Sequence, residues 1–144
     1  MDPLSAAASI VGLLGAAATI TTILKAIVAT VKHTPQVVAN LLIEVSDIAS
    51  CLGQLQAFLS GAVAISRTRK SLLMVDQIAV TLTNCVLIFS ELEETIEKLK
   101  LNLPILPATI RLRFTSKEAA ITKLLTRLHA SKLSLTLMLT TLTW

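Results

Sequence analysis

The chain has few of the residues that interrupt helices and few that stack rings in a core. Of its 144 residues only four are Gly and four Pro, aromatics make up 3% with no Tyr, and charged residues make up 15%. So few Gly and Pro leave little turn chemistry for β-hairpins, which argues against a sheet protein and for an all-α one. Apolar residues reach 53% with hardly a ring among them, so Leu, Ile, Val and Ala must fill the interior. Two cysteines, Cys51 and Cys85, are too few for a disulfide framework. Flanked by apolar helical sequence, they read as reduced, buried side chains of an intracellular protein, with a disulfide between them as the lesser alternative.

The usual vocabulary of catalysis is missing as well. The sequence holds no P-loop pattern, dinucleotide fingerprint, nucleophile elbow or zinc spacing. His33 and His129 lie in different helical regions, with no Asp, Ser or Cys partner at a useful spacing. Glu91, Glu93, Glu94 and Glu97 lack the Glu-x-x-His pairs of a di-iron bundle. The expectation is a protein that is not an enzyme, with no cofactor and no catalytic or metal site. Nucleic acid is not an expected partner either, because the basic residues have no interleaved aromatics and no recognition-helix turn.

Charge is absent over one long stretch. Between Asp2 and Lys25 run 22 uncharged residues, Pro3 to Leu24. As a helix this run would extend roughly 33 Å, against a hydrocarbon core of about 30 Å. A secretory signal needs cations ahead of its apolar run, and here only acidic Asp2 precedes it. The strongly apolar residues are Leu4, Ile10, Val11, Leu13, Leu14, Ile20, Ile23 and Leu24, and these are the candidates for membrane insertion. Eight such side chains contribute only about −2 to −5 kcal/mol on an insertion scale. The hydroxyls of Ser5, Ser9, Thr19, Thr21 and Thr22 offset part of that. The bland reading is a core helix, since Ile10, Leu13, Ala17, Ile20, Leu24, Ile27 and Val31 alternate spacings of three and four. Ala8, Gly12 and Ala16 form a strip of small residues that permits close helix packing, within one bundle or between copies in lipid.

The rest of the chain repeats the helical period. Helices are expected at about 4–32, 35–60, 71–101 and 116–142, forming one domain over 1–144, an antiparallel four-helix-type bundle with a hydrophobic N-terminal helix. Thr34-Pro35 marks the second start, Gly61 the second stop, and Pro104 with Pro107 the break before the fourth helix. Thr115-Ser116-Lys117-Glu118 reads as a capping box opening that last helix. The second stripe is Val38, Leu41, Val45, Ile48, Leu52, Leu55 and Leu59, with Glu44 and Asp47 off the seam. The third runs from Val75 through Ile78, Leu82, Cys85, Phe89, Leu92 and Ile96 to Leu99, and the fourth is Ile121, Leu124, Leu128, Ser131, Leu135, Met138 and Leu142. Leu133 to Thr140 alternates apolar and polar with a period near two, yet its Leu content favours helix.

The formal charge of +4 is unevenly spread. Arg67, Arg69 and Lys70 cluster, and Arg111, Arg113, Lys117, Lys123, Arg127 and Lys132 face a single Glu118 in the last third. Solvated helix faces account for such charges in most proteins. Arg67, Arg69, Lys70, Arg111, Arg113 and Lys117 are also candidate contacts for anionic lipid headgroups, at about 1 kcal/mol each near the surface.

The opening Met1-Asp2-Pro3-Leu4-Ser5-Ala6-Ala7-Ala8-Ser9-Ile10 resembles the start of the fungal HeLo-like N-terminal domains. These precede STAND or NACHT receptors, ankyrin arrays or amyloid signalling motifs. Arg111-Leu112-Arg113-Phe114, followed by Lys117-Glu118, Ile121, Leu124-Leu125, Arg127-Leu128 and Lys132-Leu133, is similar to the family's final helix, with Phe114 where the family has Trp. The resemblance implies a helical bundle that executes regulated cell death at the plasma membrane, with Leu4 to Leu24 as the membrane-active segment. Implied partners are anionic membrane lipid, further copies of the chain on activation, and an upstream receptor or amyloid-motif protein. The implied location is the cytoplasm, with relocation to the plasma membrane. Two other readings stand beside it: an adaptor bundle of a receptor with no membrane step, and a small integral membrane protein, which the mean hydropathy of +0.76 favours and the striped first helix opposes.

Overall fold

The computed structural model describes residues 3–30, 36–59, 75–100 and 107–143, and within them the side chains of 6–29, 36–59, 77–97 and 118–141. These residues form four α-helices and no strand: α1 (Pro3–Thr30), α2 (Gln36–Leu59), α3 (Val75–Lys100) and α4 (Pro107–Thr143). The all-α bundle expected from composition is what they build.

Each helix buries the stripe that its spacing dictates. On α1 these are Ala6, Ile10, Leu13, Ala17, Ile20, Leu24 and Ile27; on α2 they run from Val37 and Val38 to Leu55 and Phe58. The α3 face is Ile78, Leu82, Cys85, Ile88, Phe89, Leu92 and Ile96, and the α4 face is Ile121, Leu124, Leu128, Ser131, Leu135, Met138 and Leu139. Together the apolar members make one continuous core. The period-two stretch of α4 is helical: Leu135 and Leu139 point inward, while Leu133 and Leu137 face solvent.

One boundary differs from the sequence expectation. α4 begins at Pro107, so Thr115-Ser116-Lys117-Glu118 lies inside the helix and does not cap it. Pro107 itself stands at the first helical position, where its fixed φ suits the helix and its missing N–H costs nothing. No Gly or second Pro follows before Thr143 to stop the helix. α3 starts at Val75, and the expected helix residues 31, 32, 35, 60, 71–74 and 101 fall outside the described residues.

The helices occupy four corners in the order α1, α2, α4, α3, each packing chiefly against its two neighbours in that ring. Residues 31–35 alone separate α1 from α2. Six Cα steps reach about 20 Å, well short of the roughly 36 Å length of α2, so these two helices run antiparallel. α4 runs antiparallel to α3, because Arg127 pairs with Glu91 while Ser131, further along, meets Cys85. α2 and α4 are neighbours pointing the same way: Glu44 and Asp47 meet Lys132, and Cys51 meets Thr136. Two antiparallel hairpins therefore lie side by side, with α1 and α4 on opposite corners.

Candidate functional site

The bundle is fastened unevenly. Lys132 on α4 donates to Glu44 Oε1 at 3.0 Å and to Asp47 Oδ2 at 3.4 Å, both on α2. His129 Nδ1 lies 3.4 Å from the same Glu44 oxygen. Arg127 donates to Glu91 of α3. Glu44, off the seam of α2, is nevertheless mostly buried at 16% side-chain exposure, and its Oε2 is buried with no hydrogen-bond partner among the described residues. Hydrogen bonding to Glu44 raises the Lys132 ammonium above its ordinary pKa, with Asp47 assisting and desolvation opposing.

These polar ties all join α4 to α2 or α3. Among the described residues, no ion pair reaches α1. Two of its hydroxyls bond within the helix, Thr19 to the Gly15 carbonyl at 3.1 Å and Thr22 to the Ala18 carbonyl at 2.9 Å. What holds α1 is apolar burial. Ile10, Ile20 and Leu24 are fully buried, and Leu13 nearly so. Five large aliphatic side chains, Ile27 included, keep roughly 7–15 kcal/mol of transfer free energy out of water, an upper estimate. Lipid tails are as apolar as Leu. Moving α1 from the core into lipid therefore forfeits packing fit and uncovers the apolar faces of α2 and α3 while preserving the transfer term of α1's own side chains.

The expected insertion residues do not share one environment. Ile10, Leu13, Ile20 and Leu24 are in the core, Leu14 and Ile23 pack partly against it, and Val11 is 57% exposed. Leu4 lies on α1 with its side chain outside the described residues. The small strip is not a close-packed seam. Ala8 and Gly12 are exposed and Ala16 half-buried, and a Cβ placed on Gly12 would meet nothing within 4 Å. Gly12 and Ala16 line an open groove of 310 Å³ against Val86, Phe89, Ser90 and Glu93 of α3.

Family models, curated proteins and solved structures give no match to this chain.

Of the expected headgroup contacts, Arg67, Arg69 and Lys70 lie outside the described residues. Arg111, Arg113 and Lys117 sit on the first turns of α4 with their side chains likewise outside them. The sequence reading singled out α1 alone, yet α2 is also long and apolar enough to cross a membrane. Its two acids, Glu44 and Asp47, obscured that. Both are engaged by Lys132, so α2 is tied into the bundle by ion pairs as α1, among the described residues, is not. Cys51 and Cys85 are free thiols on α2 and α3. Burial pushes the Cys85 thiol pKa up, and its hydrogen bond with Ser131 offsets part of that.

Proposed function

We propose that this bundle is a membrane-perturbing module of the HeLo-like cell-death type. In the resting state it is cytoplasmic, with α1 packed against α2 and α3. On oligomerisation, triggered by an upstream receptor or amyloid-motif partner, α1 leaves the bundle and inserts into the plasma membrane. Clustering raises the local concentration of individually marginal helices, so weak insertion becomes effective. Anionic headgroups meet the basic residues at 67–70 and 111–117 first.

One observation carries this reading: the helix that is uncharged from Pro3 to Leu24 and long enough to span is also the helix that no ion pair among the described residues ties down. A competing reading, an adaptor bundle that binds only protein, draws on the complete burial of Ile10, Ile20 and Leu24, which equally suits a permanent core helix.

Gly12→Lys separates the two. The position is exposed and spacious, and Glu93 lines the same groove, so a cation there is compatible with the folded bundle. In a bilayer, a Lys near the middle of the uncharged run costs about 2.5–3.5 kcal/mol. The expected result is a melting midpoint no lower than that of the unmodified chain, since Lys forms helix better than Gly, together with loss of dye leakage from phosphatidylserine-containing liposomes. Leakage equal to that of the unmodified chain overturns the insertion reading and leaves the adaptor.

A further inference from the structure

The core stripes are not the only periodic faces of α3 and α4. On the outside of α3 the exposed residues Val80, Thr83, Leu87, Ser90, Glu94 and Glu97 recur at spacings of three and four. On α4 the exposed residues Lys123, Thr126, Ala130, Leu133 and Leu137 do the same. Residues at these spacings lie on one line along each helix and are neighbours on its surface. The large apolar members stand well out of the bundle, Val80 at 60%, Leu87 at 53%, Leu133 at 57% and Leu137 at 68% exposure.

The two outer stripes are complementary in content and in order. Reading α3 from its N-terminus, apolar residues come first and acids follow. Reading α4, a cation comes first and leucines follow. The helices are antiparallel within the chain, with Glu91 level with Arg127 and Cys85 level with Ser131. Leu137 therefore stands at the height of Val80, Leu133 and Ala130 near Thr83 and Leu87, and Lys123 near Glu94. A rotation about an axis parallel to the bundle preserves height. It brings the outer stripe of α4 in one copy against the outer stripe of α3 in the next, apolar residue to apolar residue and Lys123 to acid.

We propose that a second copy of this chain docks here, α4 of one copy on α3 of the next, through a heterologous contact that closes into a ring. This is the assembly step that the proposed function invokes, and in that sense the inference rests on it, but the contact is tested without any membrane. The contact uses the outer stripes of α3 and α4, and α1 contributes no residue to it.

The experiment uses two variants of the whole chain, Leu137→Glu on the α4 face and Leu87→Glu on the α3 face, both at exposed positions where a charge leaves the fold intact, as circular dichroism melting verifies. Sedimentation velocity should find concentration-dependent assembly of the unmodified chain, and self-association weakened about tenfold or more in each variant alone. Mixing the two should restore a one-to-one dimer and nothing larger, because each variant keeps the face that the other has lost. Swapping charges in Lys123→Glu, then adding Glu94→Lys, should weaken and then recover assembly. Monomers of the unmodified chain at every concentration, variants that assemble normally, or a mixture that stays monomeric would each overturn the contact. Intact assembly without liposome leakage would overturn only the membrane reading.

Discussion

Lys132 donates a hydrogen bond of 3.0 Å to Glu44 Oε1, joining residues 88 positions apart across the α2–α4 seam. The pair is mostly buried, at 20% and 16% side-chain exposure. Removing one partner therefore strands the other in a place water scarcely reaches, where Glu44 Oε2 already has no hydrogen-bond partner among the described residues. Lys132→Met is expected to cost about 1–3 kcal/mol. Arg127→Met, which breaks a pair whose members are 43% and 53% exposed, is expected to cost only about 0.2–1 kcal/mol. Urea denaturation of the two variants side by side checks the ordering, and equal losses would refute it.

Alkaline pH should loosen the fold through two groups acting in the same direction. Lys132 and Cys85 both bind their protons more tightly in the folded chain than at their ordinary values of 10.5 and 9.0. A raised pKa gives stability that is fully present below the unfolded value and is lost as pH climbs through the folded one. Stability should therefore start to fall above about pH 9 through the thiol and again above about pH 10.5 through the ammonium. In Lys132→Met the second component should vanish while the first persists, as urea midpoints measured across pH 8 to 11.5 would reveal.

Helical glycines offer a gain in stability. A Cβ on Gly12, Gly15 or Gly53 would meet nothing within 4 Å, so none of the three serves a close approach of helices. Replacement by Ala at each should stabilise by about 0.5–1 kcal/mol, the cost of glycine's freedom in a helix. Thermal melting of the three single variants tests this. A lowered midpoint at Gly12 would mean that α1 needs flexibility there to pack.

Much of this architecture can be read from spacing alone, because burial of a helix face is a local, periodic property. The expected α1 stripe from Ile10 to Ile27 is the buried stripe, and Ser131 takes the inward place its position assigns even though it is polar. What spacing cannot convey is which helices meet. Spacing places Glu44 and Asp47 off the seam and says no more, and only the α2–α4 contact, set by the arrangement of the whole chain, brings Lys132 beside both and His129 beside Glu44. The start of α4 was misplaced for a related reason. Thr115 and Glu118 have the chemistry of a cap, but a helix already under way from Pro107 has no free amides for them to satisfy. Within this bundle the small strip is not a packing seam: small residues permit close packing without requiring it, and at Gly12 the neighbouring helix stays away.

The uneven fastening has one more mechanical result. Strip α1 away and three helices remain joined by their salt links, with an empty greasy trough along the flanks of α2 and α3 that α1 had covered. Water is a poor tenant for that trough, so a copy that has released α1, as proposed, is left with an apolar face on α2 and α3 that lipid or protein must cover.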